Sequence, residues 1–229
     1  MWRGRCQTDH DSNPKSLGRT GSAQRLEKCD RDADLEEEEQ QKGPQYLLNS
    51  RVGKLYTKIL EQRARAKAEY YFSNAQFSFR KGRGCTDAVF ALRQLCERAV
   101  EYDRALQLVF VDQEKAFDRV DREKLWGVLE QYNIKGQLLD NIKALYAGSK
   151  SAVRTPSGLT NWFSVKSGVR QGCVLSPLLF IIYMDRITKE SNPEPGALNE
   201  LLFADDQVIL YESNIALQQH TEGFNRVCK

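Results

Sequence analysis

ELLFADDQVILYE, at residues 200–212, decides the fold, because it joins two short apolar runs through Ala204, Asp205, Asp206 and Gln207. Short runs of this composition, with turn residues between them, predict the two strands of a β-hairpin, and their apolar character places the hairpin in a core. An acidic pair between two core strands is costly unless water or a positive charge satisfies it. Because Asp is also a favoured turn residue, the hairpin alone leaves open a plain exposed turn and a cation-binding pair.

A further carboxylate stands at the end of another predicted strand. ALQLVFVD, at residues 105–112, is an apolar run rich in β-formers that ends on Asp112, which is typical of a central strand. A strand end and a neighbouring hairpin tip would bring Asp112, Asp205 and Asp206 to one spot. Oxygen ligands without nearby His or Cys favour Mg²⁺ or Mn²⁺ over zinc. Two such ions about 4 Å apart would stabilise the attacking and leaving oxygens of a phosphoryl transfer, as in nucleic-acid polymerases.

Two helices are predicted before the first strand, with the basic loop QFSFRKGRGC between them. In the first, KLYTKILEQRARAKAEYYF, the apolar residues at helical spacing are Leu55, Ile59, Tyr70 and Phe72. The second, TDAVFALRQLCERAVEY, takes Thr86 or Asp87 as its cap. Its apolar stripe consists of Ala88, Leu92, Leu95 and Ala99.

Between the first strand and the ELLFADDQVILYE hairpin, the pattern predicts short helices at DREKLWGVLEQYN and GQLLDNIKALYAG, then a small hairpin at residues 153–165. The long buried helix SPLLFIIYMDRITKE takes Ser176 as its N-cap and Pro177 as its first helical residue. A last helix turns Leu217 and Phe224 inwards. Because helices and strands interleave without a steady βαβ period, we expect an α+β fold.

Composition excludes several classes of protein. The 229 residues are 41% hydrophobic and 28% charged, which is a globular balance. The cysteines include no C-x-x-C pair, so we expect neither a zinc site nor a disulfide scaffold, but a reduced, intracellular protein of the nucleus or cytoplasm. The opening MWRGRCQTDHDSN lacks the apolar region of a signal peptide, and the longest apolar stretch, residues 175–184, is half of the roughly 20 residues that a membrane span needs. We therefore expect no membrane contact, and the sequence carries no signal of oligomeric state.

Positive charge is concentrated in one segment. Residues 51–104 hold 12 Lys and Arg against 6 Asp and Glu, while residues 1–50 hold 8 against 10 and residues 105–229 hold 14 against 15. The basic segment suits contact with the phosphates of a nucleotide or polynucleotide, and equally suits a solvated helix face. Only 12 of the first 50 residues are hydrophobic, and they include the acidic run DADLEEEEQQKGP, so we expect a disordered or weakly helical leader.

Three successive motifs resemble the core motifs of reverse transcriptases. They are FVDQEKAFDRV (110–120), SGVRQGCVLSPLLFIIYM (167–184) and LLFADDQVILY (201–211), and they are most similar to those of non-LTR retrotransposons of the long interspersed element type. Upstream, VGKLYTKILEQR and AQFSFRKGRGCTDAVFALRQL are similar to the fingers blocks of that family. The resemblance covers about residues 52–229, and five motifs in order at sensible spacing carry it.

The resemblance implies a catalytic metal site. Asp112 corresponds to the first metal-binding carboxylate, and Asp205 and Asp206 correspond to the acidic pair of the hairpin motif. Together they would bind two Mg²⁺ or Mn²⁺ ions. Asp118 follows Asp112 by six residues, so we expect it to lie beyond the strand end and outside the metal cluster.

The resemblance also implies residues that bind the nucleotide. Phe117 corresponds to the ring beneath the incoming sugar that excludes a 2′-hydroxyl; core packing is the alternative. Gln171 and Gly172 match a Gln-Gly pair that meets the nucleotide through an amide and a close backbone approach, where a plain surface loop is the alternative. Arg80 and Lys81 match basic fingers residues that grip the triphosphate, with non-specific surface charge as the alternative.

The implied fold is an α+β right-handed palm with fingers. Residues 51–104 would form the basic fingers segment, and residues 105–229 a palm with a fingers excursion at about 122–165. The family continues with a helical thumb, so the resemblance implies a copy truncated at both ends, with the thumb absent. Ser78 and Cys85 stand where the family has Gly and Ser or Thr, and we expect both small residues to be tolerated.

The implied function is RNA-directed DNA polymerisation. The 3′-hydroxyl of a DNA primer, paired with an RNA template, would attack the α-phosphate of a dNTP and release pyrophosphate, with catalysis by positioning and charge stabilisation. The alternative from another class is an inactive retrotransposon-derived remnant that acts at most as an RNA-binding or interaction module. Primer extension on an RNA template distinguishes the two.

Overall fold

The computed structural model describes residues 51–152, 154–155, 158–192 and 198–228, so the leader expected at residues 1–50 lies outside the described part. All described residues belong to one compact unit. Up to residue 146, the elements in chain order are α1 (Arg51–Ala68), α2 (Cys85–Glu101), β1 (Gln107–Val111), α3 (Ala116–Arg119), α4 (Arg122–Gln131) and α5 (Gln137–Tyr146). From residue 150 onwards they are β2 (Lys150–Ser151), β3 (Arg154–Thr155), β4 (Gly158–Leu159), β5 (Phe163–Ser164), α6 (Ser176–Ser191), β6 (Glu200–Phe203), β7 (Asp206–Tyr211) and α7 (Asn214–Val227).

The hairpin expected from ELLFADDQVILYE is confirmed as β6 and β7, which join β1 in an antiparallel sheet of order β1-β7-β6. Phe203 pairs with Asp206, so the turn is the two residues Ala204 and Asp205 rather than the four of the sequence interpretation. Ala204 takes a left-handed φ of 59°, as a tight two-residue hairpin turn requires.

A short piece of the chain upstream of α2 borders this sheet. Leu202 of β6 donates its N–H to the carbonyl of Ala75 at 2.9 Å, and its own carbonyl accepts from Phe77 N–H at 2.9 Å. Gln76 thereby forms a parallel bridge with Leu202. The basic loop that follows is consequently tied to the sheet at its start.

The core is built around α6, the long buried helix that the sequence predicts. Its side chains Leu178, Leu179, Ile181 and Ile182 have no solvent exposure, and the helix packs against α1, α4 and α7. Burying each such side chain stabilises the fold by roughly 1.5–3 kcal/mol. Leu175 rather than Ser176 is the N-cap, so the predicted start is one residue late.

α7 covers one face of the sheet. Leu217 of α7 packs with Ile209 and Tyr211 of β7, and Val109 of β1 packs against them. Phe224 of α7 is also buried, so both inward-facing residues predicted for this helix are confirmed.

Two helices differ from their predicted faces. In α1 the buried residues include Leu60, Ala64 and Ala68, whereas Leu55 and Ile59 are exposed. Small alanine side chains let α1 lie close to its neighbours α5 and α6, which a count of apolar residues does not anticipate. In α2 the predicted stripe is only half-buried, because the helix packs chiefly against β6.

Among the described residues, no helix has both the length and the apolar character that crossing a bilayer requires.

Candidate active site

The three predicted metal ligands lie at one end of the sheet. Val111 of β1 pairs with Gln207 of β7, so Asp112 follows one member of this pair and Asp206 precedes the other. Asp205 stands in the adjoining turn. Asp112 and Asp206 are exposed and Asp205 is half-buried. The topology therefore brings a strand end and a hairpin tip to the same edge, as expected.

These carboxylates fit a divalent cation in their chemistry, and the fold places all three at the same end of the sheet. All three offer hard oxygen donors, which suit Mg²⁺ or Mn²⁺. Their exposure leaves them accessible to a hydrated ion. Within the described part of the chain, however, no three His, Cys, Asp or Glu side chains converge closely enough to hold a metal ion.

An open cleft of about 370 Å³ gathers residues from two separate motifs. Phe117 of α3 lines it together with Gln171 and Gly172 from the loop before α6. The remaining lining residues are Arg170, Cys173, Val174, Ser176 and Pro177. Three of the predicted nucleotide-binding residues thus share one cavity.

Phe117 is both a core residue and a cleft residue. Its ring stacks on Phe180 of α6 with centroids 4.2 Å apart and planes 14° apart. The residue is nevertheless half-buried and lines the cleft. The two alternatives from the sequence are therefore compatible, since one face of the ring packs on the core while the residue also reaches the cavity.

Asp118, which is predicted to lie outside the metal cluster, contacts the motif at residues 167–184. Its Oδ1 accepts a hydrogen bond from Gln171 Nε2 at 3.1 Å. This bond joins the short helix α3 to the loop that carries Gln171 and Gly172. The resemblance implies that the Gln171 amide contacts the nucleotide. The Asp118 carboxylate thereby orients this amide.

The loop also approaches α3 through its backbone. Val169 N–H donates to the carbonyl of Phe117 at 2.8 Å, and Gly168 N–H donates to that of Val120 at 2.8 Å. Gly168 has a φ of +82°, and a Cβ there would stand 2.8 Å from the Asp118 carbonyl oxygen. Only glycine meets both demands at this position.

Arg122, which sequence reasoning missed, binds the same loop from α4. Its guanidinium donates to the carbonyls of Val165 (2.7 Å), Ser167 (3.1 Å) and Gly168 (2.9 Å), and it lies 5.0 Å from the centre of the Tyr146 ring. Burial lowers the pKa of the Arg122 guanidinium. No local sequence pattern indicates this role, because the three carbonyls that Arg122 binds are more than 40 positions away along the chain.

Arg80 and Lys81 occupy different environments. The Arg80 side chain is 9% exposed and pairs with Glu69 at 2.7 Å; it also donates to the Ser73 carbonyl at 2.8 Å and lies over the Phe72 ring. Lys81 is exposed. Neither residue lines the cleft, so the structure does not bring them together with Phe117 and Gln171.

A buried polar network beneath the sheet is a second feature that the sequence does not reveal. Gln207 of β7 donates to Glu200 of β6 at 3.1 Å, and His220 Nε2 of α7 lies 3.6 Å from the same carboxylate. His220 Nδ1 is 3.2 Å from the Tyr211 hydroxyl, which accepts from Asn199 Nδ2 at 3.0 Å. Burial raises the pKa of Glu200 to about 7 and lowers that of His220. The network fastens the aspartate-bearing hairpin to α7.

A buried carboxylate in α6 ties two further segments to the core. Asp185 has no exposed surface and accepts a hydrogen bond from the Tyr132 hydroxyl. It also pairs with Lys189 at 2.7 Å and accepts from Ser73 N–H at 2.8 Å. This contact is structural, since Asp185 lies in the core and away from the cleft lining.

Comparisons with known proteins agree with this arrangement. Residues 41–229 match the family model described as reverse transcriptase (RNA-dependent DNA polymerase). The chain is 33% identical over 150 residues to the transposon TX1 uncharacterized 149 kDa protein of Xenopus laevis, a match that covers 62% of the chain and 12% of the relative. It is 27% identical over 196 residues to the RNA-directed DNA polymerase from mobile element jockey of Drosophila funebris, covering 79% of the chain and 21% of the relative.

A third relative is the Pol polyprotein from type-2 retrotransposable element R2DM of Drosophila melanogaster, which is 28% identical over 141 residues, 59% of the chain and 13% of the relative. The chain thus spans about an eighth of the length of TX1 and R2DM.

Among solved structures, the fold is similar to telomerase from Candida albicans (TM-score 0.55, 13% identity) and from Candida tropicalis (TM-score 0.56, 14% identity). These matches cover 88% and 91% of the chain and 34% of each telomerase chain. At such identities they show the fold alone, which is that of palm and fingers in a polymerase of this type.

Proposed function

Because the chain belongs to the reverse transcriptase (RNA-dependent DNA polymerase) family, we propose that it extends a DNA primer on an RNA template with dNTPs. The observation that carries the proposal is the meeting of two motifs at one cavity. Phe117 comes from the strand-end motif and Gln171 from the motif more than 50 residues later, yet both line the same cleft. The carboxylates of Asp112, Asp205 and Asp206 lie together at one end of the three-stranded sheet.

In this proposal Asp112, Asp205 and Asp206 hold two divalent cations, Mg²⁺ or Mn²⁺. When bound, such ions supply charge stabilisation for an attacking hydroxyl and a pyrophosphate leaving group. Exposed carboxylates at the tip of a rigid hairpin suit that role, because the buried network beneath β6 and β7 fixes the backbone that carries two of them.

The residues at the cleft select and position the nucleotide. The Phe117 ring occupies the space that a 2′-hydroxyl would need, and its stacking on Phe180 resists displacement. Gln171, held by Asp118, presents its amide to the nucleotide. Gly172 has a φ of +80°, and no atom would lie within 4 Å of a Cβ at this position. The nucleotide therefore has room to approach the backbone there.

The basic fingers loop supplies charge in two ways. Lys81 is exposed and suits direct contact with the triphosphate. Arg80 is engaged with Glu69, Ser73 and Phe72, so it orients the loop and reaches the triphosphate only by leaving those partners.

Primer extension on an RNA template with Mg²⁺ tests the proposal. Asp205→Asn keeps the shape of the side chain and removes its charge, so we expect extension to fall at least a hundredfold while the circular dichroism spectrum stays the same. Asp103→Asn is the matched control, because Asp103 is exposed, stands at a φ of 50° that Asn tolerates, and lies before β1. Equal extension by Asp205→Asn and the unmutated chain would contradict the proposal.

A further inference from the structure

Helix α1 has two apolar sides, and the core takes the side with the smaller side chains. The buried residues of α1 are Gly53, Thr57, Leu60, Ala64 and Ala68. On the outward side, Val52 is 68% exposed, Leu55 60% and Ile59 39%. Tyr56 is 39% exposed beside them. A helix that packs on a core normally buries its larger apolar residues, so the outward side of α1 departs from that rule.

The four outward residues form one continuous stripe, which we call the outer stripe. Positions 52, 55, 56 and 59 are separated by steps of three, one and three residues, so they share one face of the helix over two turns. Single apolar residues on a surface are ordinary, whereas a contiguous group on one face marks an interaction surface. Helix α1 is packed against α5 and α6 on its other side, so the outer stripe stands on a fixed support.

One flank of the outer stripe is positively charged. Arg51, Lys54 and Lys58 are exposed and follow one another at steps of three and four residues, so they form a row beside the stripe. The stretch RVGKLYTKIL, with which α1 begins, contains no Asp or Glu. Within the described part of the chain, the ion pairs of α1 are those of Arg65, towards the other end of the helix. The basic row is therefore available to acidic groups from outside.

The composition of this surface selects the kind of partner. Val52, Leu55 and Ile59 are aliphatic and offer no ring on which a nucleic-acid base could stack. A second copy of the chain would bring an identical basic row to this one, and like charges across an interface are costly. An amphipathic helix with acidic flanks satisfies both parts, because its apolar face covers the stripe and its carboxylates meet the row.

We propose that the outer stripe of α1 is the docking site for an acidic amphipathic helix of a partner protein. The apolar side chains of that helix pack on Val52, Leu55 and Ile59, and its Asp or Glu residues lie beside the basic row. No residue of the outer stripe lines the cleft that holds Phe117. The interaction therefore goes beyond the proposed polymerase reaction and does not depend on it.

Binding of a fluorescently labelled synthetic helix to the full chain, measured by anisotropy, tests the proposal. The probe is three heptads long, with Leu at the a and d positions and Glu at e and g, and a comparison peptide has Lys in place of Glu. We expect the Glu peptide to bind about tenfold more tightly than the Lys peptide. Leu55→Asn should raise the Kd of the Glu peptide about tenfold, because an anchor of the apolar contact is lost.

Leu159→Asn is the matched control for the apolar contact. Leu159 is 62% exposed, close to the 60% of Leu55, but it lies in β4 rather than in α1. We expect this variant to bind the Glu peptide as the unmutated chain does. Since both leucines are exposed, both variants should keep the circular dichroism spectrum of the unmutated chain.

Reversal of one charge tests the basic row. Lys58→Glu should weaken binding of the Glu peptide about threefold and strengthen binding of the Lys peptide by a similar factor. Lys67→Glu is the control, because Lys67 is exposed on the same helix but lies beyond the outer stripe, and it should leave both affinities unchanged.

Equal affinity for the two peptides, or an unchanged Kd in Leu55→Asn, would overturn the proposal. Self-association of the unmutated chain in sedimentation that is lost in Leu55→Asn would overturn it as well, because the stripe would then belong to a second copy. Asp205→Asn should bind the Glu peptide normally, so a failure of polymerisation leaves this measurement intact.

Discussion

Phe117 stands at the border between the core and the cleft, and its environment decides what its removal does. The ring stacks on Phe180 at a centroid distance of 4.2 Å, and the residue lines the cavity with Gln171 and Gly172. A rigid aromatic ring supported from behind can exclude a substituent from the sugar without moving. In the proposed function, selectivity for the sugar would depend on this packing as well as on the shape of the cleft.

Phe117→Ala should raise the ratio of ribonucleotide to deoxyribonucleotide incorporation at least tenfold, because the space for a 2′-hydroxyl opens. The variant should also lose about 2 kcal/mol of stability, since the ring is half-buried. Single-nucleotide incorporation with paired NTP and dNTP checks the ratio. Phe224→Leu loosens the core away from the cleft and should leave the ratio unchanged; an unchanged ratio in Phe117→Ala would assign Phe117 to packing alone.

Glu200 links stability to pH beneath the same hairpin. Its pKa is raised to about 7 by burial, above its ordinary value of 4.5. Between these values the folded chain keeps a proton that the unfolded chain has released. The burial of Glu200 therefore costs no stability below about pH 4.5, and it costs increasingly more as the pH rises to 7. His220, whose pKa is lowered by burial, has the opposite effect below its ordinary value of 6.5.

Glu200→Gln should therefore stabilise the chain by about 2 kcal/mol at pH 8 and by almost nothing at pH 4.5. Urea unfolding of the variant and the unmutated chain at several pH values isolates Glu200, because His220 is common to both. Glu222→Gln, on an exposed stretch of α7, is the control and should show no such difference. A constant difference across the pH range would contradict the role given to Glu200.

At the scale of elements, Arg122 supports the loop before α6 by donating hydrogen bonds to three backbone carbonyls. Val165, Ser167 and Gly168 all accept from its guanidinium, and the ring of Tyr146 lies 5.0 Å from it. A lysine ammonium cannot reach all three carbonyls with the planar geometry of guanidinium. Arg122 thereby adds three hydrogen bonds to those that the loop makes with α3.

Arg122→Lys should raise the KM for dNTP about fivefold and change kcat less, since the loop binds the nucleotide before and during reaction alike. That increase corresponds to about 1 kcal/mol, the usual net value of one hydrogen bond. Arg119→Lys, on the exposed Arg119–Glu114 pair, is the control. A fall in kcat at constant KM, or equal effects in both variants, would show that Arg122 does not position the loop.

The elements that the sequence predicts correctly are those whose signals are local. The β6–β7 hairpin, the buried α6 and the inward face of α7 each follow from a short pattern of residue types. The buried face of α1 does not follow from such a pattern. Its buried residues include alanines, which allow close packing against neighbouring helices but do not stand out in a hydrophobicity pattern. Arg122 and the Glu200–His220 network are invisible for a related reason: their partners come from distant segments, so no window of sequence contains them.

At the scale of the whole molecule, the proposed working parts are joined by chain connections and by backbone hydrogen bonds. The sheet carries the carboxylates at one end, the chain continues from β1 towards α3, and the loop before α6 is hydrogen-bonded to α3. The resemblance predicts which residues bind the nucleotide. The structure adds that Phe117, Gln171 and Gly172 line one cavity, whereas the largely buried Arg80 side chain is paired with Glu69. No sequence pattern specifies how the three carboxylate side chains are oriented, and within the described residues they do not converge on a common point.

Template-directed incorporation of a single nucleotide is the most direct test of the central claim that these parts form one polymerase site. The purified chain is mixed with a DNA primer on an RNA template, Mg²⁺ and one dNTP at a time, with the template base varied. We expect only the complementary dNTP to be added, and we expect Asp112→Asn and Asp206→Asn to abolish the addition. Incorporation that ignores the template base, or that survives both substitutions in folded protein, would contradict the claim.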